Sequence, residues 1–431
     1  MLENSKRIGF FGIGKSNLAL ISLDEFKNCS LTLRSDGEID RNSLPCGLNI
    51  ERIFEGERAA RDIDEELLFF SPSVRRERKE FREANARGVR FSSDAELFFE
   101  RNHRPVFAVS GSDGKSTTAT LLHLLLKEGG CSNRLIGNVG EAMSANLGYE
   151  GTFVCELSSF MLTYLKPRVE RACITNITPN HLDWHKNFEE YRATKLSLLE
   201  GADECVLTDE FESAYTIVSA EKSLDELKKT HRAEIFLTIE EGFICKNGAP
   251  ILHISKIRRR EKHNILNLML AIGMADGYVD KECVLRVAGS FEGLAHRCEL
   301  VLREDGVDYY DSSIDSSPQR TVSTIEALGR EVVVILGGKS KGLDYSILIP
   351  SLKKYAKGII VTGENSKEIF ETIKELNPRI IEDFETAVLV GKDMAKSVGA
   401  LLLSPASTSY DRFKNYEERG SFFKEILLKS K

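Results

Sequence analysis

The chain has 431 residues, 42% of them hydrophobic and 29% charged, a globular make-up whose length suits about three domains at roughly 150 residues each. A net charge of −7 argues against nucleic acid as the main partner, and no apolar run reaches the ~18 residues that a membrane-spanning helix needs. Nine cysteines without a C-x-x-C pair speak against a zinc framework or a disulfide scaffold and point to a reducing cytoplasm; the N-terminal stretch, interrupted by Lys15 and Asn17, does not read as a signal peptide.

Strand-like and helix-like segments alternate along the chain, which predicts an α/β architecture with mainly parallel sheets. In residues 1–92, Ile8–Phe11 reads as a buried strand, Gly12-Ile13-Gly14 as a turn and Asn17–Leu23 as a short helix. Leu31–Leu33 and Leu67–Phe70 read as further strands, and Arg75–Ala86 as a helix. Gly9-x-x-Gly12-x-Gly14, with Asp36 beyond it, approaches a dinucleotide fingerprint, but Asn17 replaces the third glycine. A Rossmann-like domain for a nucleotide other than NAD is the favoured reading.

Residues 93–296 form the middle section. Val106–Val109, Phe153–Glu156, Ala172–Thr175 and Cys205–Thr208 are its candidate strands. Residues 232–260 read as β-meander or loop with Asn247-Gly248 as a hairpin turn, and Asn264–Gly273 as a helix. Residues 297–431 return to an α/β alternation, with strands at Val332–Leu336, Gly358–Val361 and Leu401–Leu403. Gly337-Gly338 and Ser404-Pro405 directly follow two of these, where open α/β sheets bind ligands.

The stretch AVSGSDGKSTT at 108–118 carries the most chemistry. Gly111, Ser112, Asp113, Gly114, Lys115, Ser116 and Thr117 lie between an apolar strand and a run of helix formers, Thr118 to Leu126. Backbone N–H groups of such a turn face a polyphosphate, the lysine reaches the β/γ-phosphates and Ser116 can ligate magnesium. The strict phosphate-loop pattern wants glycine where Val109 stands, so the match is to a shorter G-x-x-G-K-S variant.

Three later features bear on the same chemistry. Glu156 ends an apolar strand, and Leu157-Ser158-Ser159 shows no helix start, which favours a magnesium-holding carboxylate over a helix cap. His181-x-x-x-His185 has a zinc-like spacing, but Pro179-Asn180 before it and Asp183 and Trp184 within it favour a loop. His181 then reads as facing magnesium or phosphate. Lys195, in YRATK on a helix, reads on its own as a surface lysine.

Taken together, these stretches resemble the Mur ligases, ATP-dependent amide-bond-forming enzymes of peptidoglycan precursor synthesis. GSDGKST is similar to the family's phosphate loop, and Glu156 in ELSSF to its magnesium-binding glutamate. Asn176-Ile-Thr-Pro-Asn180-His181 resembles its N-x-x-x-D-H segment, with Asn180 where an acid is usual. YRATK resembles the segment whose lysine is carbamylated, which makes Lys195 a candidate for a second magnesium site with His181. His263-Asn264-x-x-Asn267 is similar to an adenine-contacting motif, and His296-Arg297 to the H-R that opens the third domain. The C-terminal SPASTSYDRFKNYEERG resembles the branch that adds D-glutamate to UDP-N-acetylmuramoyl-L-alanine.

The resemblance implies three domains: Rossmann-like residues 1–92 for the uracil nucleotide, a P-loop ATPase-like domain 93–296 for ATP and magnesium, and a Rossmann-like domain 297–431 for the amino acid. It places Gly14, Lys15, Ser16, Arg34, Ser35, Ser71, Asn138 and Ser158 at the nucleotide-sugar substrate. Lys341, Ser409, Tyr410 and Tyr416 fall to the amino acid, and Arg297 and Asp311 to ATP. Lys115, His181 and Lys195 become the catalytic centre of a cytoplasmic, monomeric ligase working through an acyl phosphate.

Where the D-glutamate branch reads N-D-S-K-A-T-N, this chain reads Tyr310-Asp311-Ser312-Ser313-Ile314-Asp315-Ser316. Loss of a lysine at Ser313 and gain of an acid at Asp315 would favour a cationic substrate such as D-lysine. A folylpoly-γ-glutamate synthetase shares the overall plan but not SPASTSYDRF. A non-catalytic nucleotide switch predicts an N-K-x-D signature, which the chain lacks.

Overall fold

The structure, a computed structural model, describes residues 6–182, 184–208, 236–246, 249–339 and 342–429. The chain divides into two compact units, Met1–Phe291 and Glu292–Lys431.

The first unit begins with a parallel sheet of β1 (Arg7–Phe11), β2 (Ser30–Ser35), β3 (Ile50–Glu55), β4 (Leu67–Phe70) and β5 (Arg90–Ser92), in the order β3-β2-β1-β4-β5. The central runs IGFF and LLFF are buried on both faces, and adjacent residues point to opposite sides. Phe10 therefore packs with Phe26 and Phe69, while Phe11 packs with Phe70 and Phe81 on the other side. The order reverses at β1 and β4, which puts the Gly12 turn and Ser71 side by side at the ligand-binding end.

A second parallel sheet follows: β6 (Val106–Ser110), β7 (Asn133–Gly137), β8 (Thr152–Glu156), β9 (Val169–Ile174) and β10 (Ala202–Cys205), ordered β10-β9-β6-β8-β7. Val109 on β6 stands level with Glu156 on β8 and Cys173 on β9. The loops after all three strands therefore emerge at one end of the sheet. The helices Lys115–Glu128 and Lys262–Met274 pack their leucines into the core of this layer. The predicted strand Cys205–Thr208 is split between β10 and β11 (Leu207–Thr208). The predicted meander is β12 (Phe236–Glu240), β13 (Phe243–Lys246) and β14 (Ala249–His253), paired antiparallel. Asn247-Gly248 lies outside the described residues.

The second unit is a six-stranded sheet of β15 (Glu299–Glu304), β16 (Val307–Asp311), β17 (Val332–Leu336), β18 (Ala356–Val361), β19 (Arg379–Ile380) and β20 (Ala400–Leu403), ordered β15-β16-β20-β17-β18-β19. Only β15 runs antiparallel. Its two apolar faces are covered separately. Val333, Ile335 and Leu403 pack with Phe423 and Leu427 of the helix Tyr416–Lys429; Val334, Leu336 and Leu402 pack with Leu348 and Leu352 on the other side.

Candidate active site

Every turn of the 110–116 segment needs its glycines. Gly111 has φ +140°, and a Cβ there would sit 1.9 Å from Thr175 Oγ1. Gly114 has φ +80°, and a Cβ there would meet Asn267 Oδ1 at 2.3 Å. The loop after β9 holds this turn in place. Ser112 N donates to Asn176 O (2.8 Å), and Asp113 N to Asn176 Oδ1 (3.0 Å). Thr175 Oγ1 donates to Asp113 O (2.5 Å). Ser112 Oγ donates to Thr178 O (3.0 Å) and meets the Tyr191 hydroxyl at 2.9 Å. Lys115 folds back so that Nζ donates to Ser112 O (2.7 Å), over the concave side of the turn. Ser116 and Thr117 open the following helix and are nearly buried. A glycine turn that leads straight into the start of a 14-residue helix, with a lysine folded over it, fits a phosphate chain.

Glu156 is wholly buried. Its Oε1 accepts from Asn138 Nδ2 (2.7 Å), and its Oε2 has no hydrogen-bond partner among the described residues. A buried acceptor left open beside a phosphate turn fits a hard cation held with Ser116. Lys195 faces the same region. It is 2% exposed, its Nζ lies 4.9 Å from the Tyr191 ring centre, and no carboxylate among the described residues is within 4 Å of it. Burial, and then the charge of Lys115, push its pKa well below the usual lysine range. It is thus not the surface lysine that its local sequence suggests.

His181 lies in a turn, with φ +53°, and its carbonyl accepts from Trp184 N and His185 N. His181 is exposed against the edge of Phe160, whereas His185 is buried among Phe160, Trp184 and Tyr191. The two rings do not converge on a third ligand among the described residues. Trp184 Nε1 donates to Ser73 O (3.1 Å), and the Arg75 guanidinium lies over its ring.

At the first sheet, Gly12 has φ +80° and touches Ser71, and Lys15 Nζ donates to Gly140 O beside Asn138. Gly14 caps the helix Lys15–Ile21, which includes Ser16. Asn17, in place of a third glycine, closes the turn by donating to Phe11 O and Gly12 O. Ser35 is half-buried and accepts from Gly37 N (3.2 Å).

In the second unit, loops after β16, β17 and β20 cluster around Arg419. Ser409 is almost buried, Tyr410 is exposed, and Tyr416 lies 6.2 Å from the His296 ring. Arg297 is half-buried next to His296, and Lys341 lies outside the described residues. His296, Glu299 and Asp311 approach closely enough for a cation, but Lys424 Nζ already sits 2.6 Å from Glu299 and 3.8 Å from Asp311.

The comparisons with known proteins bear on this geometry. Residues 109–275 match the family model of the Mur ligase middle domain. A UDP-N-acetylmuramoylalanine–D-glutamate ligase of Ruminiclostridium cellulolyticum is 33% identical, covering 98% of this chain and 96% of that protein. An equally named ligase of Clostridium botulinum is 31% identical over the same shares. The chain belongs to the Mur ligase family. It is an ATP-dependent, ADP-forming amide ligase of peptidoglycan precursor synthesis. The fold agrees with solved Mur ligases. A UDP-N-acetylmuramate–alanine ligase of Thermotoga maritima aligns with TM-score 0.62 at 21% identity, covering 99% of this chain and all of that one. A folylpolyglutamate synthase of Mycobacterium tuberculosis aligns with TM-score 0.54 at 11% identity, covering 75% of this chain and 92% of that one, which shows a shared fold alone.

In this Mur ligase several expected ligand contacts are instead structural. Arg34 is wholly buried: Nε and Nη2 pair with Glu65, and the remaining N–H groups reach the carbonyls of Ala59, Arg61 and Asp62. All its donors are used, so it braces the first sheet rather than touching a substrate. Asp36 is taken by Arg78 (2.7 Å). Ser158 caps the helix Ser159–Tyr164 by accepting from Met161 N, so a helix does start after Glu156. Asn267 braces the phosphate turn through Thr118 (3.2 Å). Asp311 is buried between His296 Nδ1 (2.6 Å) and Ser313 N (2.9 Å), where it orients the histidine.

Asp315, expected to face the amino acid, accepts from Ser404 Oγ (2.8 Å) and is 4% exposed. Burial pushes its pKa up. Its side chain is turned into the protein, which removes one of the two reasons to favour a cationic substrate. Sequence reasoning also missed Trp184 as a contact between two loops, and Arg419. Burial draws Arg419 down to a pKa of about 10, which still leaves it charged at neutral pH. The R-G of the C-terminal pattern was the signal for it.

Proposed function

We propose that this ligase joins the L-alanyl carboxylate of UDP-N-acetylmuramoyl-L-alanine to the amine of D-glutamate. The names of the relatives that match 98% of the chain support the pair of substrates. The observation that carries the chemistry is the open Glu156 Oε2 beside the phosphate turn. We assign three functional domains, 1–92, 93–296 and 297–431, one for each parallel-sheet system. The reaction belongs in the cytoplasm, and the enzyme works as a monomer. No helix among the described residues is long and apolar enough to cross a membrane.

The substrate carboxylate attacks the γ-phosphorus of ATP, and ADP leaves. The amine of D-glutamate then attacks the acyl phosphate, and the tetrahedral intermediate expels inorganic phosphate. Both reacting partners of the first step are anions, so charge neutralisation and in-line placement dominate over any nucleophilic side chain. Lys115 swings from Ser112 O onto the γ-phosphate. Magnesium, when bound, supplies Lewis-acid charge, held by Ser116 and Glu156 and, at a second position, by His181 and Lys195. Carbamylation of Lys195 requires a neutral amine, and its burial supports that state. Gly14, Lys15, Ser16, Ser71 and Asn138 bind the nucleotide sugar. Ser409, Tyr410, Tyr416 and Lys341 receive the amino acid, and Arg297 and Asn264 contact ATP.

Phosphate release from ATP should require both UDP-N-acetylmuramoyl-L-alanine and D-glutamate. Lys115→Ala should lower kcat by at least about 10²-fold, as loss of one preorganised charge contact does. Turnover near that of wild type would refute the phosphate-turn assignment. Lys195→Ala should be inactive even with added bicarbonate and regain activity with short carboxylic acids. Full activity without them would exclude the carbamate.

A further inference from the structure

Segment 71–78 follows β4 at the ligand-binding end of the first sheet. It starts where Ser71 lies against Gly12 and ends where Arg78 pairs with Asp36, just past β2 (2.7 Å). Between these anchors it meets the loops of the second sheet. Ser73 O accepts from Trp184 Nε1 (3.1 Å), and the Arg75 guanidinium lies 5.4 Å from the centre of the Trp184 ring. Arg76 N donates to the Tyr164 hydroxyl (2.9 Å), and the Arg76 guanidinium lies 4.3 Å from the centre of that ring. The same hydroxyl donates to Glu77 (2.8 Å).

On its other side Trp184 belongs to the turn of His181. Trp184 N donates to His181 O (3.0 Å), and both side-chain rings pack on Phe160, Trp184 at 4.7 Å and His181 at 4.9 Å between ring centres. Phe160 stands in the helix Ser159–Tyr164, which follows β8 and its terminal Glu156. The indole is thus wedged between the segment that borders Ser71 and the turn that carries His181. Trp184 lies just past the N-x-x-x-D-H-like segment, and the family resemblance assigns it no role. The first two sheets share no strand pairing, so the placement of one ligand-binding end against the other falls to contacts such as this one. In-line transfer is sensitive to that placement, because a misalignment of about 1 Å can cost 10²-fold in rate. A ligand that fixes one of the two loops also lowers the ordering cost left for the ligand of the other.

We infer that Trp184 is a positioning residue that locks the 71–78 segment to the His181 turn, so that the nucleotide sugar and the magnesium nucleotide each tighten the binding of the other. This rests on the ligase reading above, which puts the nucleotide sugar at the first sheet and magnesium ATP at the second.

The test is calorimetry on the full-length enzyme with UDP-N-acetylmuramoyl-L-alanine and the non-hydrolysable analogue AMP-PNP with magnesium. Wild type should bind the nucleotide sugar at least about fivefold more tightly with magnesium AMP-PNP present than without it, and the reverse titration should give the same factor. Trp184→Ala should bring that factor close to one while changing the affinity for each ligand alone little. Trp184→Phe, which keeps a ring on Phe160 and loses the Ser73 bond, and Arg75→Met should each keep part of it. Trp184 is the sole tryptophan, so its emission should change when the nucleotide sugar is added without AMP-PNP. Should Trp184→Ala fail to fold, Trp184→Phe and Arg75→Met carry the test, and a wild-type factor in both overturns the inference. An unaltered factor in Trp184→Ala, or weaker binding of both ligands at an unaltered factor, marks a purely structural tryptophan and overturns it, as does an emission that the nucleotide sugar leaves unmoved. Failure of wild type to bind UDP-N-acetylmuramoyl-L-alanine at all removes the substrate reading itself, whereas binding of both ligands with a factor of one removes only the role of Trp184.

Discussion

Gly111 and Gly114 set the shape of the phosphate turn, because each holds a positive φ and touches a neighbour where a side chain would begin. Gly111→Ala should cost about 1–3 kcal/mol in backbone strain and crowd Thr175. Thermal unfolding should show the loss, and calorimetry should find nucleotide binding abolished; binding at wild-type affinity would refute the cradle. Asp315 gives a pH signature. Its folded pKa is raised above the usual 3.8, so the native state binds the extra proton and the ionised form costs stability. Wild-type stability from this group therefore falls as pH rises from 3.8 to the folded value, and is flat above it. Asp315→Asn lacks the effect and should gain on wild type across that window. Urea unfolding between pH 4 and 7.5 measures the difference; a constant gap would contradict the placement. The residues legible in the sequence were those whose chemistry is local, such as Lys115 and Glu156. Arg34, Asp315 and Arg419 were not, because their partners Ala59, Ser404 and Ser313 lie 25, 89 and 106 residues away and burial is decided by the whole fold.

Between residue and molecule stand the loops that link one sheet to the next. The turn 181–185 ties the phosphate region to the Ser73 loop through Trp184, the only tryptophan in the chain. Trp184→Phe keeps the ring packing on Phe160 and loses one hydrogen bond, so stability should fall by about 1 kcal/mol. Urea denaturation checks this, and no change would show that the Ser73 contact contributes nothing. The strands were readable where they are central. β1, β4, β6, β8, β17 and β20 each contain an apolar run buried on both faces. β3, β5, β7, β15 and β19 escaped notice because they lie at sheet edges, where one side meets water and charged residues interrupt the pattern.

The whole molecule is two compact units, and the second has a six-stranded sheet with an apolar layer on each face. Residues 292–431 should therefore fold alone. Far-UV circular dichroism of that fragment should show one cooperative urea transition, and a broad non-cooperative loss would contradict it. The central claim concerns the intact ligase and the acyl phosphate. UDP-N-acetylmuramoyl-L-alanine labelled with ¹⁸O in its alanyl carboxylate should be turned over with ATP and D-glutamate, and the released phosphate analysed by mass spectrometry. One carboxylate oxygen should move to phosphate for each amide formed. Amide product with unlabelled phosphate would contradict the acyl-phosphate route.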